Sequence, residues 1–243
     1  MNMKKTSLWL ASLLALATFT SARADVIAGW TFQTAASTNN IIGAGLATSS
    51  TQSGILADIG TGTASANHAT AATAWSTPSG NGSSNSWSAN NWNSGDYFQF
   101  QVSTLGFQNI TLSYDQVGSA TGPKSFGIQY STDGSGFTTF GSSYSVTSAP
   151  SWNPNTVSGA ANESFAFDLS SVTGLNNLAA VYFRVIDQSA TTGGAINLGN
   201  VGTGGTGRLD NFLVNGTVVP EPSTLALAVV GGITCLFSLR RKR

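Results

Sequence analysis

The sequence predicts an all-β protein: a two-sheet antiparallel β-sandwich of jelly-roll type, with an N-terminal signal helix and one short C-terminal transmembrane helix. Three observations carry this. Between Val26 and Val219 apolar and polar residues alternate in short runs, the period of a strand with one buried and one wet face. Gly, Ser, Asn and Asp bound those runs, as at Asp133-Gly134, and no stretch between the two ends sustains a helical period. Each end of the chain adds a single apolar run next to basic residues.

In chain order, residues 1–24 have the three parts of a secretory signal: Lys4 and Lys5, an apolar run over 8–19, and Ala22-Arg23-Ala24. Cleavage after Ala24 is predicted. An uncleaved anchor is the alternative, and the run is short of the roughly 20 apolar residues that span a bilayer. Residues 25–219 form the ectodomain. Within it, 34–93 is rich in Ala, Ser, Thr, Gly and Asn, with few strand signals beyond 55–59. It reads as a loop-rich, least regular part, either a decorated loop or weak edge strands.

Strong strands follow. Phe98, Phe100 and Val102 alternate with Gln99 and Gln101, and Ile110, Leu112 and Tyr114 obey the same rule. So do Phe126, Ile128 and Tyr130, then Phe165, Phe167 and Leu169, then Val181, Phe183 and Val185 with Arg184 on the opposite face. These are the predicted core residues. Many strands without helices favour a sandwich. A β-helix would need a short repeated motif, and none recurs here.

The chain's formal neutrality hides an acidic middle. Basic residues cluster at the ends, leaving Lys124, Arg184 and Arg208 against nine carboxylates between 25 and 219, a net charge of minus six. That argues against nucleic acid as a partner, since phosphate binding draws on Lys and Arg. The single cysteine, Cys235, lies in the C-terminal apolar run, so the ectodomain has no disulfide and depends on its core. Thiolate-based metal and nucleophile chemistry lose their usual ligands.

The C-terminus reads Val219-Pro220-Glu221-Pro222-Ser223-Thr224, an apolar segment over 225–239, then Arg240-Arg241-Lys242-Arg243. The prolines hold the junction extended, the apolar run partitions into lipid, and the terminal cations stay on the cytoplasmic side. A plain single-pass anchor with a proline-containing linker is one reading. In order and content, residues 220–243 resemble the PEP-CTERM sorting and anchor segment. The resemblance implies recognition by a membrane-embedded exosortase, cleavage near Pro-Glu-Pro, and delivery to the envelope surface or an extracellular polymer matrix. The same tail also bears the family label of an ice-binding protein C-terminal domain, which describes the tail alone.

Residues 95–100, 128–134, 181–184 and 208–212 together look like a jelly-roll ectodomain found in PEP-CTERM proteins. Similar folds include carbohydrate-binding modules, in several of which an Asp of the last strand helps hold structural calcium. Asp210 has that place and shares parity with Phe212 and Val214, so an inward carboxylate is expected to need a partner. Calcium would meet the need; so would an ion pair with Arg208 or Arg184, or exposure at a bulge.

Trp75, Trp87 and Trp92 fall among Ser and Asn. Exposed indoles there would stack on sugar rings; buried ones would pin a long loop to the sheet. His68, the only histidine, reads as a solvated loop residue, and no G-x-S-x-G elbow frames a serine. Glu163 with one of the aspartates would suffice for a glycosidase if suitably spaced. The reading is a non-enzymatic, exported surface or matrix protein. A carbohydrate-binding module for exopolysaccharide or another glycan is the first alternative, a glycoside hydrolase or lyase the second.

Overall fold

Period-two patterning builds two sheets that bury their apolar faces against each other. The structure, a computed structural model, describes residues 24–38, 41, 48–148, 152–156 and 163–219. These form β1 (Ala24–Trp30), α1 (Ala35–Thr38), β2 (Thr51–Leu56), β3 (Ile59–Gly60), β4 (Gly62–Asn67), β5 (Trp75–Ser76) and β6 (Trp87–Ala89). Then come β7 (Tyr97–Val102), β8 (Phe107–Gly118), β9 (Ser125–Ser131), β10 (Thr138–Ser145), β11 (Ser164–Asp168), a 3-10 turn at Thr173–Leu175, β12 (Val181–Asp187) and β13 (Gly207–Val218).

One sheet runs β11-β8-β13-β1-β3, with β6 also paired to β13 and β5 to β6. The other runs β10-β9-β12-β7-β4-β2. All these strand pairs are antiparallel. The predicted sandwich is therefore observed. The expected signal and transmembrane helices lie outside the described residues, and no described helix is long and apolar enough to cross a membrane.

Burial follows the predicted alternation closely in the central strands. Phe98, Phe100 and Val102 of β7 and Val181, Phe183 and Val185 of β12 point inward, with every intervening side chain only half-buried. Across the interior, Phe100 stacks on Phe212 of the opposite sheet, with ring centroids 3.6 Å apart and planes 7° from parallel. Trp30 meets Phe100 edge-on at 4.9 Å, and its indole N–H donates to the Ile55 carbonyl at 3.1 Å. Burying each such side chain contributes about 1.5–3 kcal/mol, which a domain without disulfides requires. Of the predicted core, Tyr130, Phe165 and Phe167 are only partly buried and pack at its margin.

The segment 34–93 adopts the weak-strand alternative. It supplies β2, β3, β4, β5 and β6, and β4 lies inside its sheet, between β7 and β2. Ala64 and Ala66 explain why this stretch looks unlike a strand. They are buried where large aromatics already fill the interior, so small residues fit where a β-branched one would crowd. The turn after β1 is tied down by Asp58, which accepts the N–H groups of Thr31 and Phe32, each at 2.7 Å, and the Ser37 hydroxyl, also at 2.7 Å. Burial works to raise the Asp58 carboxyl, but hydrogen bonds from Thr34, Ser37 and Thr31 together hold it below its ordinary value.

Candidate functional site

The outward positions of the six-stranded sheet are the side chains that the core does not use. On β7 they are Tyr97, Gln99 and Gln101, on β12 Tyr182, Arg184 and Ile186. Strand register places Ser65, Gln99, Arg184, Gln129 and Thr139 side by side across β4, β7, β12, β9 and β10. At about 4.8 Å per strand this polar ladder runs roughly 19 Å. A second ladder, Thr63, Gln101, Tyr182 and Ser131, lies next to it. It ends at a shallow hollow of about 340 Å³ lined by Leu56, Thr63, Gln101 and Ala179.

Arg184 is the centre of this face. Its guanidinium lies 3.8 Å from the Tyr97 ring centroid and 3.5 Å from that of Phe137. Nε donates to Gln99 Oε1 at 2.8 Å and Nη2 to the Tyr97 hydroxyl at 3.1 Å, while Gln99 Nε2 donates to Ser65 Oγ at 3.4 Å. Burial lowers the Arg184 guanidinium from its ordinary value, with Tyr97 acting in the opposite sense. It stays charged, since an arginine this strongly basic does not lose its proton near neutrality.

Phe137 is delivered by the β9–β10 turn. The Ser135 and Gly136 N–H groups donate to Asp133 Oδ1 at 2.8 and 2.9 Å, and they, with Ser131, hold that carboxyl well below the usual range. Gly134 takes φ 76°, and a Cβ there would stand 3.0 Å from the Tyr182 ring, so the glycine lets the turn lie against it. The result is a flat face of planar amides, hydroxyls and aromatic rings. Such groups bond hydroxyls and cover the apolar faces of a polar ligand.

Of the two alternatives for Trp75, Trp87 and Trp92, stacking on sugar or pinning a loop to the sheet, the structure shows the second. Trp75 and Trp87 are 0 % exposed and Trp92 is 4 % exposed, packed on Phe98 at centroid distances of 6.3, 4.5 and 5.1 Å. They pin 34–93 to the sheet, because burying indoles gains more than leaving them in water. His68 corrects the solvated reading. It is 2 % exposed, wedged between Trp75 at 4.7 Å and Trp92 at 4.3 Å, with Nδ1 3.5 Å from Asp96. Burial pushes the imidazole down to about 3, against weaker support from Asn90 and Asn91, so it is neutral near pH 7.

Asp210 is fully buried, but it does not face the inter-sheet core as parity suggested. A β-bulge between Asp210 and Leu213, with Asn211 at φ 50°, shifts parity and sets Asp210 opposite Asp115 on the outer side of β8. There Oδ2 accepts the Asn81 N–H at 2.8 Å and the Ser83 hydroxyl at 2.6 Å, and Oδ1 accepts the Asn211 N–H at 2.8 Å. Hydrogens occupy the carboxylate where calcium would require it to join other oxygen lone pairs, so the residues present do not fit that ion. Among the described residues no group of three His, Cys, Asp or Glu is placed to hold a metal. Neither Arg208 nor Arg184 comes within ion-pair distance of Asp210 among them; the close contact of this kind is neutral His68 with Asp96. Glu163 is also buried, its Oε2 accepting the Trp152 indole N–H at 2.8 Å.

Sequence reasoning put Gln99, Gln101 and Arg184 on an outward face but did not assemble them into a site. Gln129, Tyr97, Tyr182 and Phe137 were missed altogether. Alternation was the available signal; register was not.

Comparison with known proteins identifies the tail. Solved structures similar to the chain include the K3 cleaved adhesin domain of Lys-gingipain from Porphyromonas gingivalis W83, at 14 % identity and TM-score 0.33, covering 57 % of this chain and 78 % of that one. A protein described as sugar-binding from Bacteroides thetaiotaomicron matches at 10 % identity and TM-score 0.34, over 59 % and 81 %. TmCBM61 in complex with β-1,4-galactotriose matches at 11 % identity and TM-score 0.28, over 53 % and 69 %. No curated protein matches the sequence significantly.

Val219 is the first residue of the sorting motif and the last described, its N–H bonded to the Gly106 carbonyl at 2.8 Å. Pro220, Glu221, Pro222, Ser223 and Thr224, with Arg240 to Arg243, lie outside the described residues. Residues 218–243 match the family model of the PEP-CTERM protein-sorting motif. The chain is thus an exported protein, handled at the cell envelope, that carries a PEP-CTERM sorting tail on a β-sandwich.

Proposed function

We propose that this protein is a non-catalytic module displayed at the envelope surface or in the extracellular matrix, which holds extended glycan along the outer face of its six-stranded sheet. The polar ladder through Gln99, Arg184 and Gln129, flanked by Tyr97 and Tyr182, carries the reading. A flat, wide face of this kind suits a chain lying across strands rather than a small molecule in a cleft. The PEP-CTERM tail supports recognition by an exosortase-type enzyme and a precursor held in the membrane through 225–239 before release. The hydrolase reading has no comparable observation, because Asp115, Asp210 and Glu163 are all buried away from this face.

Affinity electrophoresis of the full chain through gels containing extracellular polysaccharide tests the glycan reading. Retardation is expected, and it should fall when Tyr182→Ala and Gln101→Ala are combined. Equal mobility with and without glycan across a broad panel would remove the proposal. Mass spectrometry of surface protein still carrying Arg240 to Arg243 would make the tail an ordinary anchor.

A further inference from the structure

Arg184 is anomalous in an acidic ectodomain. With three cations against nine carboxylates between 25 and 219, a strand arginine would ordinarily be neutralised by a neighbour. Among the described residues Arg184 has no carboxylate within ion-pair reach. Its partners among the described residues are the neutral groups of Gln99 and Tyr97 and the faces of two rings. The outward ladder residues around it, Ser65, Gln101, Gln129, Tyr182 and Thr139, carry no negative charge, and the nearby Asp133 carboxylate of the β9–β10 turn is engaged by Ser131, Ser135 and Gly136.

The contacts fix the plane of the guanidinium without using up its donors. Of five N–H groups, two are engaged by described residues, which leaves three on a fork whose geometry matches a carboxylate or sulfate. Stacking between Tyr97 and Phe137 limits its rotation, so little further freedom is lost when an anion docks. From these placements we infer that the glycan bound along the face is acidic, and that Arg184 recognises a carboxylate or sulfate carried by one of its sugar units. The inference rests on the glycan reading above and names its substrate class.

The net negative charge of the ectodomain does not oppose this locally. Charges more than about 8 Å away are largely screened at physiological salt, and the ladder itself bears one positive charge. A charge-assisted, two-point contact of this sort corresponds to about tenfold or more in affinity.

Matched polysaccharides provide the test: polygalacturonate against its full methyl ester, and dextran sulfate against dextran, titrated into the full chain at 0.15 M salt. The charged member of at least one pair is expected to bind about tenfold more tightly. Preference within the first pair identifies a carboxylate and within the second a sulfate. Arg184→Gln should abolish the preference while weak binding to the neutral member and the melting temperature persist. Arg184→Lys, which keeps the charge but not the fork, should retain only part of it. Should Arg184→Gln fail to fold, the Lys variant and the decline of wild-type preference between 0.05 and 0.5 M salt, as in general salt screening, decide the question. Equal affinity within both pairs overturns acidic selectivity, and a preference unchanged in the Lys and Gln variants overturns recognition by Arg184; either leaves glycan binding intact. Absence of binding to every member, neutral ones included, overturns both.

Discussion

Arg184 and Arg208 occupy outer faces of opposite sheets, and what lies over them differs. The face around Arg184 is open and floored by a regular ladder of uncharged partners, with the Asp133 carboxylate on the neighbouring β9–β10 turn. The face around Arg208 is partly roofed, beside a hollow of about 390 Å³ that Arg208 lines with Val117, Ser119 and Thr206. Arg208 Nη1 donates to the Ser79 carbonyl at 3.3 Å, its guanidinium lies 5.8 Å from the Trp152 ring, and Asp210 beside it is sealed beneath Asn81 and Ser83. The roof is itself tied together, the Gly82 N–H donating to Thr156 Oγ1 at 2.8 Å. One sandwich thus uses its polar residues differently: beside Arg208 they hold loops down, and around Arg184 they form the ladder proposed to meet a glycan.

The largest effect should come from removing the anchor of the roof. Asp210→Ala leaves the Asn81 and Asn211 N–H groups without their acceptor and the Ser83 hydroxyl with the Asn85 carbonyl alone, a loss of about 3–5 kcal/mol read by chemical denaturation. A loss below about 1 kcal/mol would mean that water replaces the carboxylate and the roof is not sealed.

Gly80→Ala should cost somewhat less, about 1–3 kcal/mol from overpacking. Its Cβ would stand 1.9 Å from Ser83 Oγ and 2.2 Å from Asp210 Oδ2, inside the hydrogen-bonded cradle. By contrast, Gln99→Ala on the open face should change stability by about 0.5 kcal/mol or less while weakening glycan retention. Comparable destabilisation at both positions would erase the distinction between the faces.

A subtler difference concerns pH. Burial raises the Asp210 carboxyl to about 7, with hydrogen bonds from Ser83, Asn81 and Asn211 opposing it and Asp115 adding to it, against an ordinary value of 3.8. Between those values the folded state holds a proton that the unfolded state has released, so this group's contribution to stability falls as pH rises from about 4 to about 7. Asp187, raised by burial to about 6, acts in the same sense, whereas neutral His68 lowers stability as pH falls below 6.5 towards 3. Asp210→Asn isolates one term: its melting temperature relative to wild type should climb from pH 5 to pH 8. A flat difference would show that Asp210 is ionised throughout. Calcium should leave the wild-type melting temperature unchanged, given the hydrogens converging on this carboxylate.

Much of the fold was legible because strand patterning is local. Phe98 and Phe100, or Val181 and Phe183, declare their common face within a few residues, and the structure buries them as read. The segment 34–93 was harder, since Ala64 and Ala66 become strand residues only where the interior they face is already filled by aromatics. The same applies to Trp75 and Trp87: a polar neighbourhood in sequence became an aromatic one in space, because Phe98 arrives from another strand.

By itself the sequence determined the strand-rich class, the outward parity of Gln99 and Arg184, the acidity of the cysteine-free ectodomain and the PEP-CTERM tail, since each is written in local order or composition. Tertiary structure decided the rest. Register aligned Ser65, Gln99, Arg184 and Gln129 from four separate strands, and a single extra residue at the Asn211 bulge turned Asp210 to the roofed side. Period two says only that neighbouring side chains alternate. Which of the two faces is left open depends on segments many residues away that do, or do not, fold back over it.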